Sequence, residues 1–187
     1  MPHLRCPVWI GYFLASPVRR LFQKPGRILE GLVQPGMQVL DLSPGMGFFT
    51  LPLARLVGPD GRVVAVDVQA GMLEGLQRRA RKAGLGERIT TRVCSATSLE
   101  LGDLAGAFDF ALAFAMIHEL PDIPHFFEEV VQTLKPGASL LIAEPKGHVT
   151  RDGFGVTLQA AKAAGFEVVG RPRIAYCHAA MLQKASA

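Results

Sequence analysis

From position 35 onward, short apolar runs alternate with longer stretches in which apolar residues recur at helical spacing. The runs at 38–42, 62–67, 89–94, 108–114 and 138–144 show little polar alternation and read as strands buried on both faces. Between them, 47–56, 70–83 and 124–134 read as helices, the second closed by Gly84 and the third capped by Asp122 ahead of Pro124. A fourth helix is predicted at 154–164, ending at Gly165, followed by strands at 166–169 and near 174–182. Strand–helix alternation of this kind predicts an α/β fold with a doubly wound, mainly parallel sheet. The last two strands are joined only by the turn Gly170-Arg171-Pro172-Arg173. A parallel crossover needs about a dozen residues or more, so these two should form an antiparallel hairpin at one end of the chain.

Residues 1–34 do not share this rhythm. They are irregular and apolar, hold Trp9, Tyr12, Phe13 and Phe22, and are broken by prolines, so they read as an arm packed on a domain spanning 35–187. A chain of 187 residues with 49% apolar content has enough material for one sizeable core. The net charge of +4 is scattered except in the run Arg78-Arg79-Ala80-Arg81-Lys82, which suits a solvated helix face, so no nucleic-acid partner is expected. Cys6, Cys94 and Cys177 are widely separated and fit a reducing compartment. No apolar run reaches the roughly 18 residues of a membrane helix, and Pro7, Pro17 and Arg19-Arg20 disrupt the loose resemblance of 5–15 to a signal segment. A cytoplasmic protein without a membrane partner is expected; the oligomeric state is left open.

Candidate chemistry lies at the strand ends. Ligands of open parallel sheets sit outside the carboxyl ends of the strands, beside the first strand, and Asp41, Gly45 and Gly47 fall there. Glycines let the backbone turn tightly near a ligand, and Asp67, ending the second strand, is placed to accept hydrogen bonds from ribose hydroxyls. Any adenosine-containing cofactor would suit these features. A dinucleotide loop reads G-x-G-x-x-G/A, whereas here Thr50 takes the third small position and Asp41 precedes the loop, which favours a ligand with an ammonium and a sulfonium over one with a pyrophosphate.

In this arrangement VLDLSPGMG, VVAVDVQAGML, RVCSATSL, FDFALAFAMIHEL and LKPGASLLIAEP resemble, in order, five motifs of the class I S-adenosylmethionine-dependent methyltransferases, over about residues 35–182. The resemblance implies a Rossmann-like seven-stranded sheet of order 3-2-1-4-5-7-6 with the seventh strand antiparallel, and S-adenosylmethionine as cofactor. Asp41, Gly45 and Gly47 match the first motif, with Ser43 where a glycine is usual. Asp67 would hold the ribose, Val68 and Met72 the adenine side, with Ala96 and Phe114 nearby. Ser95 stands where an aspartate commonly binds the adenine amino group.

The acceptor should meet the opposite rim. Methyl transfer needs two positioned partners and, for some acceptors, a base. His118 and Glu119, after the fourth strand, are the catalytic candidates, and Glu144 and His148, after the fifth, are candidate substrate contacts along with Trp9 and Tyr12 of the arm, an expected lid. The spacing of Glu144 and His148 matches no named metal motif, and no metal is expected. Phe114, Met116 and Ile117 favour a small, partly apolar acceptor. Two other readings remain: binding of S-adenosylmethionine without turnover, and a nicotinamide-dependent reductase.

Overall fold

The computed structural model describes residues 24–185. The strands are β1 (Gln38–Leu42), β2 (Arg62–Asp67), β3 (Ile89–Val93), β4 (Phe108–Phe114), β5 (Leu134–Pro145), β6 (Phe166–Gly170) and β7 (Cys177–Lys184). They form a single sheet in the order 3-2-1-4-5-7-6. β7 runs antiparallel to both β5 and β6, and the other pairings are parallel, as expected from the short connection between the last two strands. The described helices are α1 (Pro25–Leu29), α2 (Thr50–Leu56), α3 (Ala70–Lys82), α4 (Ile123–Thr133) and α5 (Arg151–Ala163).

The sheet divides the core in two. Val39, Phe110, Leu112 and Leu141 pack with Leu29, Leu53, Leu73 and Leu76 from α1 to α3, whereas Leu40, Ala111, Ala113 and Ile142 pack with Phe126, Phe127, Val130 and Phe154 from α4 and α5. Alternate residues of one strand thus serve opposite layers. Phe108 breaks this parity and joins the α4–α5 side, because the register of β4 against β5 shifts between Phe108 and Phe110.

Among the boundaries that differ from the sequence reading, three have a local reason. The helix after the glycine loop begins at Thr50 instead of 47, since Gly47 has φ 87°, outside any right-handed helix. α5 begins at Arg151, three residues earlier than read, because the Thr150 hydroxyl accepts the Gly153 N–H at 3.1 Å. β7 starts at Cys177, after Tyr176 leaves the strand conformation at φ 61°. Asp122 does cap α4, accepting the His125 N–H at 3.0 Å.

The turn into β2 shows how tightly the sheet is built at the amino-terminal ends of its parallel strands. A Cβ on Gly61 would lie 2.5 Å from Val57 Cβ, 2.6 Å from the Val57 carbonyl oxygen and 2.7 Å from that of Met37. Both carbonyls are held, Val57 O by the Gly36 N–H at 2.8 Å and Met37 O by the Arg62 N–H at 3.1 Å. Gly61→Ala should therefore cost about 1–3 kcal/mol or more by overpacking, seen as a lower urea midpoint. An unchanged midpoint would mean that the 57–61 turn yields.

Candidate active site

Ser43 and Ala115 leave β1 and β4 at the same rim of the sheet, both in the left-handed region at φ 61° and 59°. Tyr176, also left-handed, enters antiparallel β7 on that rim. Backbone strain of this kind concentrates at functional sites. Short hydrogen bonds sustain it here: Ser43 N–H donates to Val66 O at 2.8 Å, Ala115 N–H to Ala143 O at 2.7 Å, and Lys146 N–H to Tyr176 O at 2.9 Å.

On this rim opens a cavity of about 580 Å³, with Ser43 and Asp67 on one side, Val68, Ser95, Ala96 and Leu99 beside them, and Met116, His118, Glu119, Leu120, Pro121 and Phe126 across from them. Asp67 accepts the Gln69 N–H at 2.9 Å and the Gly45 N–H at 3.3 Å, so it ties the end of β2 to the glycine loop. Burial raises its carboxyl above the usual range, opposed by those two N–H groups. Gly45 and Gly47 are both left-handed, but they differ in surroundings. A Cβ on Gly45 meets nothing within 4 Å, whereas one on Gly47 would lie 2.4 Å from Leu76 Cδ1, so Gly47 also lets α3 pack against the loop.

Asp41 sits beneath the loop, only 2% exposed, and accepts the Thr50 hydroxyl at 2.6 Å. Burial lifts its carboxyl to about 7; the Thr50 hydroxyl opposes that rise and the nearby Asp67 adds to it. Met72 and Phe114 are buried behind the cavity instead of lining it. The Ser95 hydroxyl accepts the Thr97 and Ser98 N–H groups at 3.3 and 3.0 Å, so its oxygen is engaged by its own turn. Cys94 lines the same side, and burial pushes its thiol up to about 11, keeping it protonated.

Across the cavity, His118 and Glu119 stand on the turn Ile117–Glu119 after β4. Glu144 ends up underneath this turn, 1% exposed, and does not face the cavity. Its carboxylate accepts the N–H groups of Met116 at 3.1 Å, Ile117 at 3.0 Å and His118 at 3.4 Å, and pairs with His118 Nδ1. Hydrogen bonding to that carboxylate raises the His118 imidazole above its usual range, against the opposing effect of burial. The His148 ring lies 5.2 Å from that of His118, centroid to centroid. Trp9 and Tyr12 lie outside the described residues. Sequence reasoning missed Leu99, Pro121, Phe126 and Glu129 as cavity residues. Glu129 braces the wall, accepting the Ser98 hydroxyl at 2.6 Å and the Leu99 N–H at 2.9 Å.

These groups fit an adenosylated cofactor: a carboxylate at the second strand end, an open glycine turn beside it, and flat apolar walls at Val68 and Ala96. Comparison with known proteins agrees. A family model described as a methyltransferase domain matches residues 39–137. Demethylmenaquinone methyltransferase of Symbiobacterium thermophilum is 33% identical over 124 residues, 65% of this chain and 49% of that protein. Ubiquinone/menaquinone biosynthesis C-methyltransferase UbiE of Hahella chejuensis is 34% identical over 113 residues, 60% of this chain and 44% of that protein. The chain spans about half the length of the curated relatives it matches. The crystal structure of a SAM-dependent methyltransferase from Aquifex aeolicus superposes with a TM-score of 0.84 at 26% identity, covering 96% of this chain and 99% of that one. With the strand order, the glycine loop and the acid at the end of β2 all in place, the chain belongs to the class I S-adenosylmethionine-dependent methyltransferases.

Proposed function

We propose that this chain transfers the methyl group of S-adenosylmethionine to a small, apolar, hydroxylated aromatic acceptor, and that His118 removes the acceptor's hydroxyl proton. The observation that carries this reading is the position of His118 on a largely apolar cavity wall, facing the side built from Ser43 and Asp67. Bound S-adenosylmethionine supplies a methyl group on a positively charged sulfur that leaves with the bonding pair. The chain's own residues then have three tasks. Asp67 holds the ribose hydroxyls while Val68 and Ala96 flank the adenine, and Asp41 adds negative potential beneath the loop. Ser43 brings the backbone close, Gly45 and Gly47 shape the loop that follows it, and Met116, Leu120 and Phe126 exclude water around the acceptor. His118 takes the hydroxyl proton, with Glu119 beside it at 3.9 Å. The electron-rich ring carbon then bonds the methyl carbon as the carbon–sulfur bond breaks, and that ring carbon gives up its hydrogen as a proton, restoring the aromatic ring and its hydroxyl. The names of the relatives, which act on demethylmenaquinone or in ubiquinone and menaquinone biosynthesis, support a quinol-like ring as acceptor.

Calorimetry with S-adenosylmethionine, followed by mass spectrometry of 1,4-dihydroxynaphthalene incubated with it, tests the reading. A methylated ring is the expected product; binding with no product across a panel of hydroxylated aromatics would instead indicate a protein that holds the cofactor without turnover. Asp67→Ala should weaken S-adenosylmethionine binding by about 1–3 kcal/mol, the scale for leaving buried polar partners unpaired. Unaltered affinity would place the ribose elsewhere.

A further inference from the structure

We infer that Glu144 is a positioning residue that fixes the tautomer of His118, and that the two form a carboxylate–imidazole pair working as one base. This rests on the methyl-transfer reading above. Its starting point is a carboxylate only 1% exposed, a placement that is costly unless both oxygens are satisfied. One oxygen, Oε1, accepts the N–H groups of Met116 and Ile117 at 3.1 and 3.0 Å. The other, Oε2, accepts the His118 N–H at 3.4 Å and faces His118 Nδ1. Glu144 thus grips three successive backbone N–H groups and the ring of the same short turn.

The consequence for His118 is chemical. An ionised carboxylate only accepts, so Nδ1 must carry the proton in the neutral ring, and Nε2 on the far edge keeps its lone pair. Nε2 is the atom that can receive the acceptor's proton, and His118 lines the cavity. When it does, the ring becomes a cation whose charge is met by Glu144 below and by Glu119 at 3.9 Å beside it. No proton need pass to Glu144, since the carboxylate orients the ring and stabilises its charged form. His148 is a further titratable neighbour, its ring 5.2 Å from that of His118, centroid to centroid, and tilted by 48°.

Register explains why this residue can reach. Glu144 shares the parity of Leu140 and Ile142, which pack on the α4–α5 side, as do Met116 and Ile117. A side chain one position earlier would point into the other layer, where Ala143 packs.

The test is Glu144→Gln. Glutamine keeps the volume and can still accept from Met116 and Ile117 through its carbonyl oxygen, but its amide donates toward Nδ1. The proton is then driven onto Nε2, which can no longer act as a base. Nitrogen-15 NMR of the His118 ring near pH 8 should show the Nδ1–H tautomer in the wild type and the Nε2–H tautomer in E144Q. Methyl transfer to 1,4-dihydroxynaphthalene should fall by about 100-fold or more, with S-adenosylmethionine affinity within two-fold of wild type. An Nε2–H tautomer in the wild type overturns the assignment without any variant being needed. So does an E144Q protein that turns over within two-fold of wild type. The expected tautomers, found in a protein that fails to bind S-adenosylmethionine, support the pair and overturn only the methyl-transfer reading.

Discussion

His118→Ala is expected to slow methyl transfer by about 10²- to 10⁴-fold, the range lost when a positioned base is removed. Affinity for S-adenosylmethionine should stay within a few-fold, because Ser43, Asp67 and Val68 line the cavity from the ends of β1 and β2 and not from the turn at 117–119. The variant should also fold: Glu144 loses its ring partner but keeps the Met116 and Ile117 N–H groups. Added imidazole should restore part of the rate, which a defect of folding would not allow. In the wild type the ring must be neutral to accept a proton, and its raised titration point means that turnover should climb with pH through a value above the ordinary histidine range. Turnover by His118→Ala within two-fold of wild type would remove His118 from the chemistry.

Asp41→Asn should raise stability at high pH and lose that advantage at low pH. Burial lifts the carboxyl to about 7 in the folded protein, from the 3.8 of an ordinary exposed aspartate. Between those values the native state holds a proton that the unfolded chain releases. Its contribution to stability is therefore complete below about pH 4 and is lost as pH rises through about 7, a change on the order of 4 kcal/mol at about 1.4 kcal/mol per pH unit. Asparagine is neutral throughout and can still accept the Thr50 hydroxyl. Thermal unfolding at pH 8 should thus favour the variant by several degrees, whereas at pH 4.5 the wild type should equal or exceed it. A difference between the two proteins that does not change with pH would show that Asp41 does not titrate in this window. The gain at high pH should come with weaker cofactor binding, as the charge beneath the loop is gone.

The pattern that made β1, β2 and β4 legible in the sequence was their continuity, a largely apolar run that for β1 stops at a serine and for β2 at an acid. The same continuity hid the orientation of residues within β5. With 140–144 all buried, nothing in the linear pattern distinguishes Glu144 pointing inward beneath a turn from Glu144 facing the cavity. Only the pairing of β5 with β4 settles it, through Ala143 beside Phe114. Ser95 posed a related problem, since the hydroxyl read as a possible ligand contact is consumed by the turn formed by its own neighbours. Phe126 and Glu129 were missed because an amphipathic helix reads as a core side and a solvated side, whereas the start of α4 lies against the cavity. Asp67, Ser43 and His118 line the cavity as their sequence positions suggested, because Asp67 and Ser43 sit at strand ends and His118 on the short turn after one.

The two walls of the cavity differ in how freely they can change. Ser43 and the turn at 116–118 are held through their backbone N–H groups, and Asp67 accepts the Gly45 N–H, so the backbone there is fixed by the sheet, the glycine loop and Glu144. The wall at 120–126 is loop and helix start, with exposed or half-exposed positions among its few apolar anchors. On the proposed reading, changes of acceptor preference fall on that flank while the strand-end side keeps its form. One half of the site is free to diversify because the other half is not.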